Sequence, residues 1–165
     1  MKQLLIRTLL GMGCLTYTFA HNGETMQYRM TNAESRASIV VKESAYKDYF
    51  TGDVRVDMLY PQSDAKTHSG ANLTFEPRAR THWHTHPAGQ HIIVTSGVGY
   101  YQAWGEPIVM IKAGDVIWVP AGLKHWHGAS KAVAMTHLVI TGADVHGKNV
   151  EWLEPVSAEQ YAHSH

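Results

Sequence analysis

The stretch that opens at position 81 reads Thr81-His82-Trp83-His84-Thr85-His86-Pro87-Ala88-Gly89-Gln90-His91. In an extended chain, side chains two apart share a face, so His82, His84 and His86 are expected to project together, with Thr81, Trp83 and Thr85 opposite. A single strand histidine is most simply a half-buried polar residue. Three in alternation, followed by a turn and a glutamine, form a grip for a divalent cation. A second group lies downstream, where Pro120-Ala121-Gly122 marks a chain reversal and His125 and His127 again alternate. Two antiparallel strands would bring His125 opposite the first cluster. His137 falls in the alternating series Val133, Met135, His137, Val139, where poor hydration would lower its pKa and keep it neutral as a base.

The elements that must position these imidazoles are strands. From about position 52, short apolar runs alternate with turn residues every ten residues or so, the spacing of an all-β sandwich or barrel. Strands are expected over 54–59, 71–75, 81–86, 91–96, 99–103, 108–112, 115–119, 124–128 and 133–141. Ser157 and Gln160 form a capping box for a short C-terminal helix, and His163 and His165 read as a solvated tail. Residues 21–47 are polar, with only 37–41 reading as a strand, and are taken as an N-terminal arm. Lys2, Arg7, the apolar run that follows and the small Ala20 form a secretory signal over 1–20, cleaved after Ala20. That predicts a periplasmic or secreted protein. The apolar run is shorter than the ~20 residues of a spanning helix, so no membrane span is expected after cleavage.

Composition narrows the chemistry. The chain has 165 residues, 44% of them hydrophobic, which suits one globular domain. Basic and acidic residues balance at 14 each and no basic block occurs, so nucleic acid is not an expected partner. The sole cysteine, Cys14, lies in the leader, leaving neither disulfide nor thiolate in the mature chain. Any metal must be held by nitrogen and oxygen, and histidine, at 12 copies, is the abundant nitrogen donor.

Both histidine segments resemble the two motifs of the cupin family. The first motif has two histidines one residue apart, an acid or amide four residues later and a glycine seven beyond; His84, His86, Gln90 and Gly97 are in register. Gly114, Pro120, Gly122 and His125 match the second. The resemblance implies an all-β fold, a single jelly-roll cupin domain over 48–162, with His84, His86, Gln90 and His125 as metal ligands. Two positions depart from the pattern: Arg78 stands where glycine usually opens the first motif, and Ala129 where asparagine usually closes the second. Gln90 replaces a frequent glutamate. A neutral donor set leaves the cation's charge uncompensated and strengthens its Lewis acidity. One divalent ion is expected, with Mn favoured and Fe, Co, Ni or Zn also compatible.

The segments Asp48-Tyr49-Phe50-Thr51-Gly52 and Thr74-Phe75-Glu76-Pro77-Arg78, the residues around the two motifs, and Met135-Thr136-His137-Leu138 are similar to the small bacterial cupins typified by manganese-dependent hydroxynitrile lyases. The resemblance implies a carbon–carbon lyase acting on a small carbonyl or cyanohydrin substrate, with His137 as base and His127 assisting, in a homo-oligomer of two or four copies. Two other classes fit the same motifs: a cupin oxidoreductase such as a dioxygenase, and a non-catalytic barrel that binds a small molecule or the metal. His82, expected on the ligand face, would be an extra wall or proton relay.

Overall fold

The computed structural model describes residues 5–8, 14–21, 24–60 and 68–162. Residues 1–4 and 9–13 of the expected leader, and the tail histidines His163 and His165, lie outside these. The chain divides between Ala37 and Ser38 into two compact units. In the first, β1 (Leu5–Thr8), β2 (Cys14–His21) and β3 (Glu24–Thr31) form a three-stranded antiparallel sheet. β3 falls in the segment read as an arm. Its sequence alternates Met26, Tyr28 and Met30 with Thr25, Gln27 and Arg29, a two-residue period sparse enough to pass for polar linker.

The second unit is built from β4 (Ser38–Val40), β5 (Phe50–Thr51), β6 (Val54–Tyr60), β7 (His68–Phe75), β8 (Arg80–Thr81) and β9 (His84–Thr85). It continues with β10 (Gln90–Ala103), β11 (Val109–Lys112), β12 (Val116–Val119), β13 (His125–Ala129), β14 (Met135–Gly142) and β15 (Glu151–Trp152). A short helix, α1 (Ala158–Ala162), follows. These strands join in one sheet, ordered β15-β9-β13-β10-β14-β7-β6-β4 along its main path. The architecture is the expected all-β one.

β10 is the hinge of that sheet. Where two strands were expected, one 14-residue strand runs through both halves. Its first part pairs with β12 and β14, and its second part with β11 and β13. The register slips between Val94 and Ser96, and Gly97 follows at φ +77. A Cβ at Gly97 would lie 1.8 Å from the Ala134 carbonyl oxygen, so the strand can turn here only through glycine. The core that results contains Phe75, Ile92, Val94, Val119 and Met135. Each such side chain contributes about 1.5–3 kcal/mol by leaving water.

A second cluster, Trp83, Tyr100, Trp126, Val156 and Tyr161, is joined by the C-terminal helix. The capping box forms as expected, with Gln160 N–H donating to Ser157 Oγ at 3.1 Å and Ser157 N–H to Gln160 Oε1 at 2.8 Å. Tyr161 then donates its hydroxyl to the Ala129 carbonyl at 2.9 Å, beneath the Arg80 guanidinium 4.6 Å from its ring. This braces β13, the strand that carries His125 and His127.

Candidate metal centre

β9 and β13 pair antiparallel with His84 opposite His125, as the reversal at 120–122 predicts. Gly122 makes that turn at φ +75, and its N–H donates to the His86 carbonyl at 2.9 Å. The expected strand over 81–86 is interrupted. At the break, His82 N–H donates to the Tyr49 carbonyl and Trp83 N–H to the Glu154 carbonyl, so the two residues pair with different segments. The interruption shifts the alternation: Thr81, His84 and His86 face the cavity, while Trp83 packs in the second cluster. His82 is half-buried, whereas His84 and His86 are buried in the cavity wall, so the three do not share one face as expected.

Each of the three histidines has its Nδ1 against a backbone carbonyl. The distances are 2.9 Å from His84 to His82, 2.6 Å from His86 to Asn149 and 2.9 Å from His125 to Leu123. A carbonyl only accepts, so Nδ1 carries the proton and Nε2 is left with a lone pair. Nε2 of His86 and of His125 is buried and without a hydrogen-bond partner. Gln90 behaves alike: its Nε2 donates to Thr141 Oγ1 at 2.9 Å, and its Oε1 is buried without a partner. Buried acceptors left bare cost about 1–3 kcal/mol each, a cost that a bound cation would relieve.

Electrostatics agree. Burial lowers the pKa of His84 well below the usual imidazole value, reinforced by His125 and His86. Burial also lowers His86, against the pull of the Asn149 carbonyl and the Gln90 amide, and brings His125 to about 4. All three are neutral at pH 7, the state a cation requires. The ring centroids of His84 lie 4.2 Å from those of His125 and 5.0 Å from those of His86.

His127 belongs to this cluster too. One nitrogen from each of His84, His125 and His127 lies within 4.8 Å of the others, so the described residues contain a three-histidine group able to hold a metal ion. Its Nδ1, however, is 3.0 Å from His137 Nε2. His137, like His125, is fully buried and absent from the cavity wall, while His127 lines it. Burial lowers His137 to about 3 and pushes His127 well below its usual value, with neighbouring imidazoles adding to the effect. Phe75 packs on both rings.

The cavity in front of these groups has a volume of about 230 Å³. Apolar side chains such as Phe50, Met58, Leu73 and Trp152 form most of its wall, and no Asp, Glu, Lys or Arg of the described residues lines it. Trp152 is set by stacking on Tyr49, at 5.0 Å and 9° between rings, and lies 4.9 Å from His84. Thr141, Asn149 and Trp152 escaped the sequence reading. Thr141 could have been found by carrying the alternation of Met135, His137 and Val139 one step further. Asn149 acts through its carbonyl, which no side-chain pattern reveals.

Comparison with known proteins identifies the fold. A family model described as the cupin domain matches residues 71–141. Over 114 residues the chain is 52% identical to the (R)-mandelonitrile lyase of Granulicella tundricola, spanning 69% of this chain and 86% of that one. Among solved structures, a cupin-like protein of Thermotoga maritima is 43% identical with a TM-score of 0.65, over 69% of this chain and 86% of that one. A cupin-2 domain protein of Rhodospirillum rubrum has a TM-score of 0.60 at 14% identity, over 81% and 83%, a likeness of fold alone. With its paired histidine strands, bare nitrogen lone pairs and these relatives, the chain belongs to the cupin family.

Proposed function

We propose that His84, His86 and His125 hold a divalent cation through Nε2, with Gln90 Oε1 as the fourth donor, and that the protein cleaves and forms cyanohydrins. Manganese is the cation this reading favours. The observation that carries it is that the other polar atom of each donor is satisfied: Nδ1 of each histidine on a carbonyl and Nε2 of Gln90 on Thr141. The similarity to a protein named (R)-mandelonitrile lyase supports this reaction over other cupin chemistries. When bound, the cation supplies Lewis acidity toward a substrate hydroxyl.

The chain's own residues do the rest. His127 Nε2, the nitrogen left after Nδ1 bonds His137, takes the hydroxyl proton. The electron pair of the O–H bond becomes the second bond of the carbonyl, and the carbon–carbon pair leaves with cyanide. In this base form His127 Nδ1–H donates to His137 Nε2, which fixes the tautomer and spreads the acquired charge over two rings. The apolar wall excludes water and accepts an uncharged aryl or alkyl body. Residues 1–20 serve as an export leader to the periplasm or beyond, and copies of the barrel associate as a dimer or tetramer.

The test is cleavage of mandelonitrile by protein stripped of metal and reloaded with Mn. Benzaldehyde release that depends on Mn and is lost in His127→Ala is expected. A protein that binds stoichiometric metal yet releases no benzaldehyde contradicts the reaction.

A further inference from the structure

We infer that Asp144 is a positioning residue for the metal centre, acting through the Asn149 backbone carbonyl on His86. The inference rests on the ligand set proposed above.

The three carbonyls that orient the histidines are not equivalent. His84 and His125 bond carbonyls two residues earlier on their own segments, at His82 and Leu123. Their ring orientation is therefore set as soon as β9 and β13 form. His86 bonds a carbonyl 63 positions away, on the loop between β14 and β15. Its orientation is only as well fixed as that loop.

The Asp144 side chain closes the turn that leads into Asn149, whose own Nδ2 donates to Ser69 Oγ at 3.5 Å. Asp144 Oδ1 accepts the N–H of His146 and of Lys148, each at 2.9 Å. The Asp144 backbone completes the ring, its N–H donating to the Lys148 carbonyl at 2.9 Å and its carbonyl accepting Gly147 N–H at 3.0 Å. These backbone donors also hold the Asp144 carboxyl below its usual pKa. Asn149 is the next residue, so the turn delivers its carbonyl to His86. Two residues further, β15 pairs with β9, Trp152 lying opposite His84. The segment thus ties the ligand-bearing strand at two points, and the Asp144 carboxylate sets the first.

Second-sphere partners of a ligating histidine typically govern about 10- to 100-fold in metal affinity. Asp144 acts at one remove, so Asp144→Ala is expected to raise the dissociation constant for Co(II) about 10-fold. Titration of the full-length, metal-stripped protein is followed by visible absorption, which reports coordination geometry as well as occupancy. Asp144→Asn restores wild-type affinity and spectrum, because an amide oxygen accepts the same two N–H groups. In a His86→Ala background, Asp144→Ala produces no further loss. Far-UV circular dichroism and the melting temperature show that each variant is folded. The inference is overturned if Asp144→Ala binds Co(II) as wild type does, or weakens binding equally with and without His86. If His86→Ala itself binds like wild type, the ligand set fails and the inference falls with it.

Discussion

His137 Nε2 lies 3.0 Å from His127 Nδ1, and of the two only His127 reaches the cavity wall. The sequence alone ranked His137 as the base with His127 assisting. The structure puts them in series. Under the proposed function a proton leaving the cavity would meet His127 first, and His137 would act from behind by fixing which nitrogen of His127 carries hydrogen.

Replacing His137 by leucine should therefore weaken turnover without emptying the site. Loss of an orienting partner behind a catalytic or ligating imidazole typically costs about 10- to 100-fold, whereas His127→Ala should cost about 100- to 10,000-fold as loss of the base itself. Rates measured at saturating Mn, with metal content checked by atomic absorption, separate the two. Equal losses would mean that both rings touch the substrate.

Gln90→Glu tests the value of a neutral donor set. Glutamate keeps an oxygen in place, and Thr141 Oγ1 can turn to donate to the second oxygen. The added negative charge should tighten Mn binding and lower kcat, because part of the cation's Lewis acidity is then neutralised. Metal titration and the cleavage rate should move in opposite senses.

The five buried imidazoles also set an acid limit. In the unfolded chain they take up protons near pH 6.5. In the folded one His125 stays neutral to about 4 and His137 to about 3, while His84, His86 and His127 are lowered in the same sense. Below about pH 6.5 the unfolded state binds more protons, so stability present above that pH is lost as pH falls. Each imidazole adds up to about 1.4 kcal/mol per pH unit over that window. Melting temperature of the metal-free protein should fall steeply from pH 7 to pH 5, and less steeply in His137→Leu. A flat profile would mean that these rings are hydrated.

The clustering of His84, His86 and His125 was legible in side-chain spacing, while Gln90 as a donor is what the family resemblance implies. His84, His86 and Gln90 sit at fixed intervals on one segment, and the reversal at 120–122 announces His125 opposite them. What spacing could not show is where backbone hydrogen bonds change partners. The break at His82 and Trp83 arises because one residue pairs with Tyr49 and the other with Glu154, and no property of the two side chains encodes that choice. The same holds for Asn149. β3 was missed because its alternation is carried by only three apolar residues.

Arg78 shows how a departure from pattern is accommodated. It stands where the family motif usually has glycine, and it takes the glycine conformation at φ 72, the one described non-glycine residue with positive φ. Its N–H still donates to the Ser130 carbonyl at 2.9 Å. Arg78→Gly keeps that bond and removes the left-handed penalty of a Cβ, partly offset by a looser unfolded chain. A net gain of about 0.5–1 kcal/mol is expected in urea denaturation. A loss would mean that the arginine side chain contributes more than its backbone costs.

In the proposed centre His86, and not His127, completes the metal site with His84 and His125. Metal content of reloaded His86→Ala and His127→Ala proteins tests it most directly. The predicted result is that His86→Ala loses most of its Mn while His127→Ala retains a full equivalent and no longer turns over substrate. Retention by His86→Ala together with loss from His127→Ala would instead assign the ion to His84, His125 and His127.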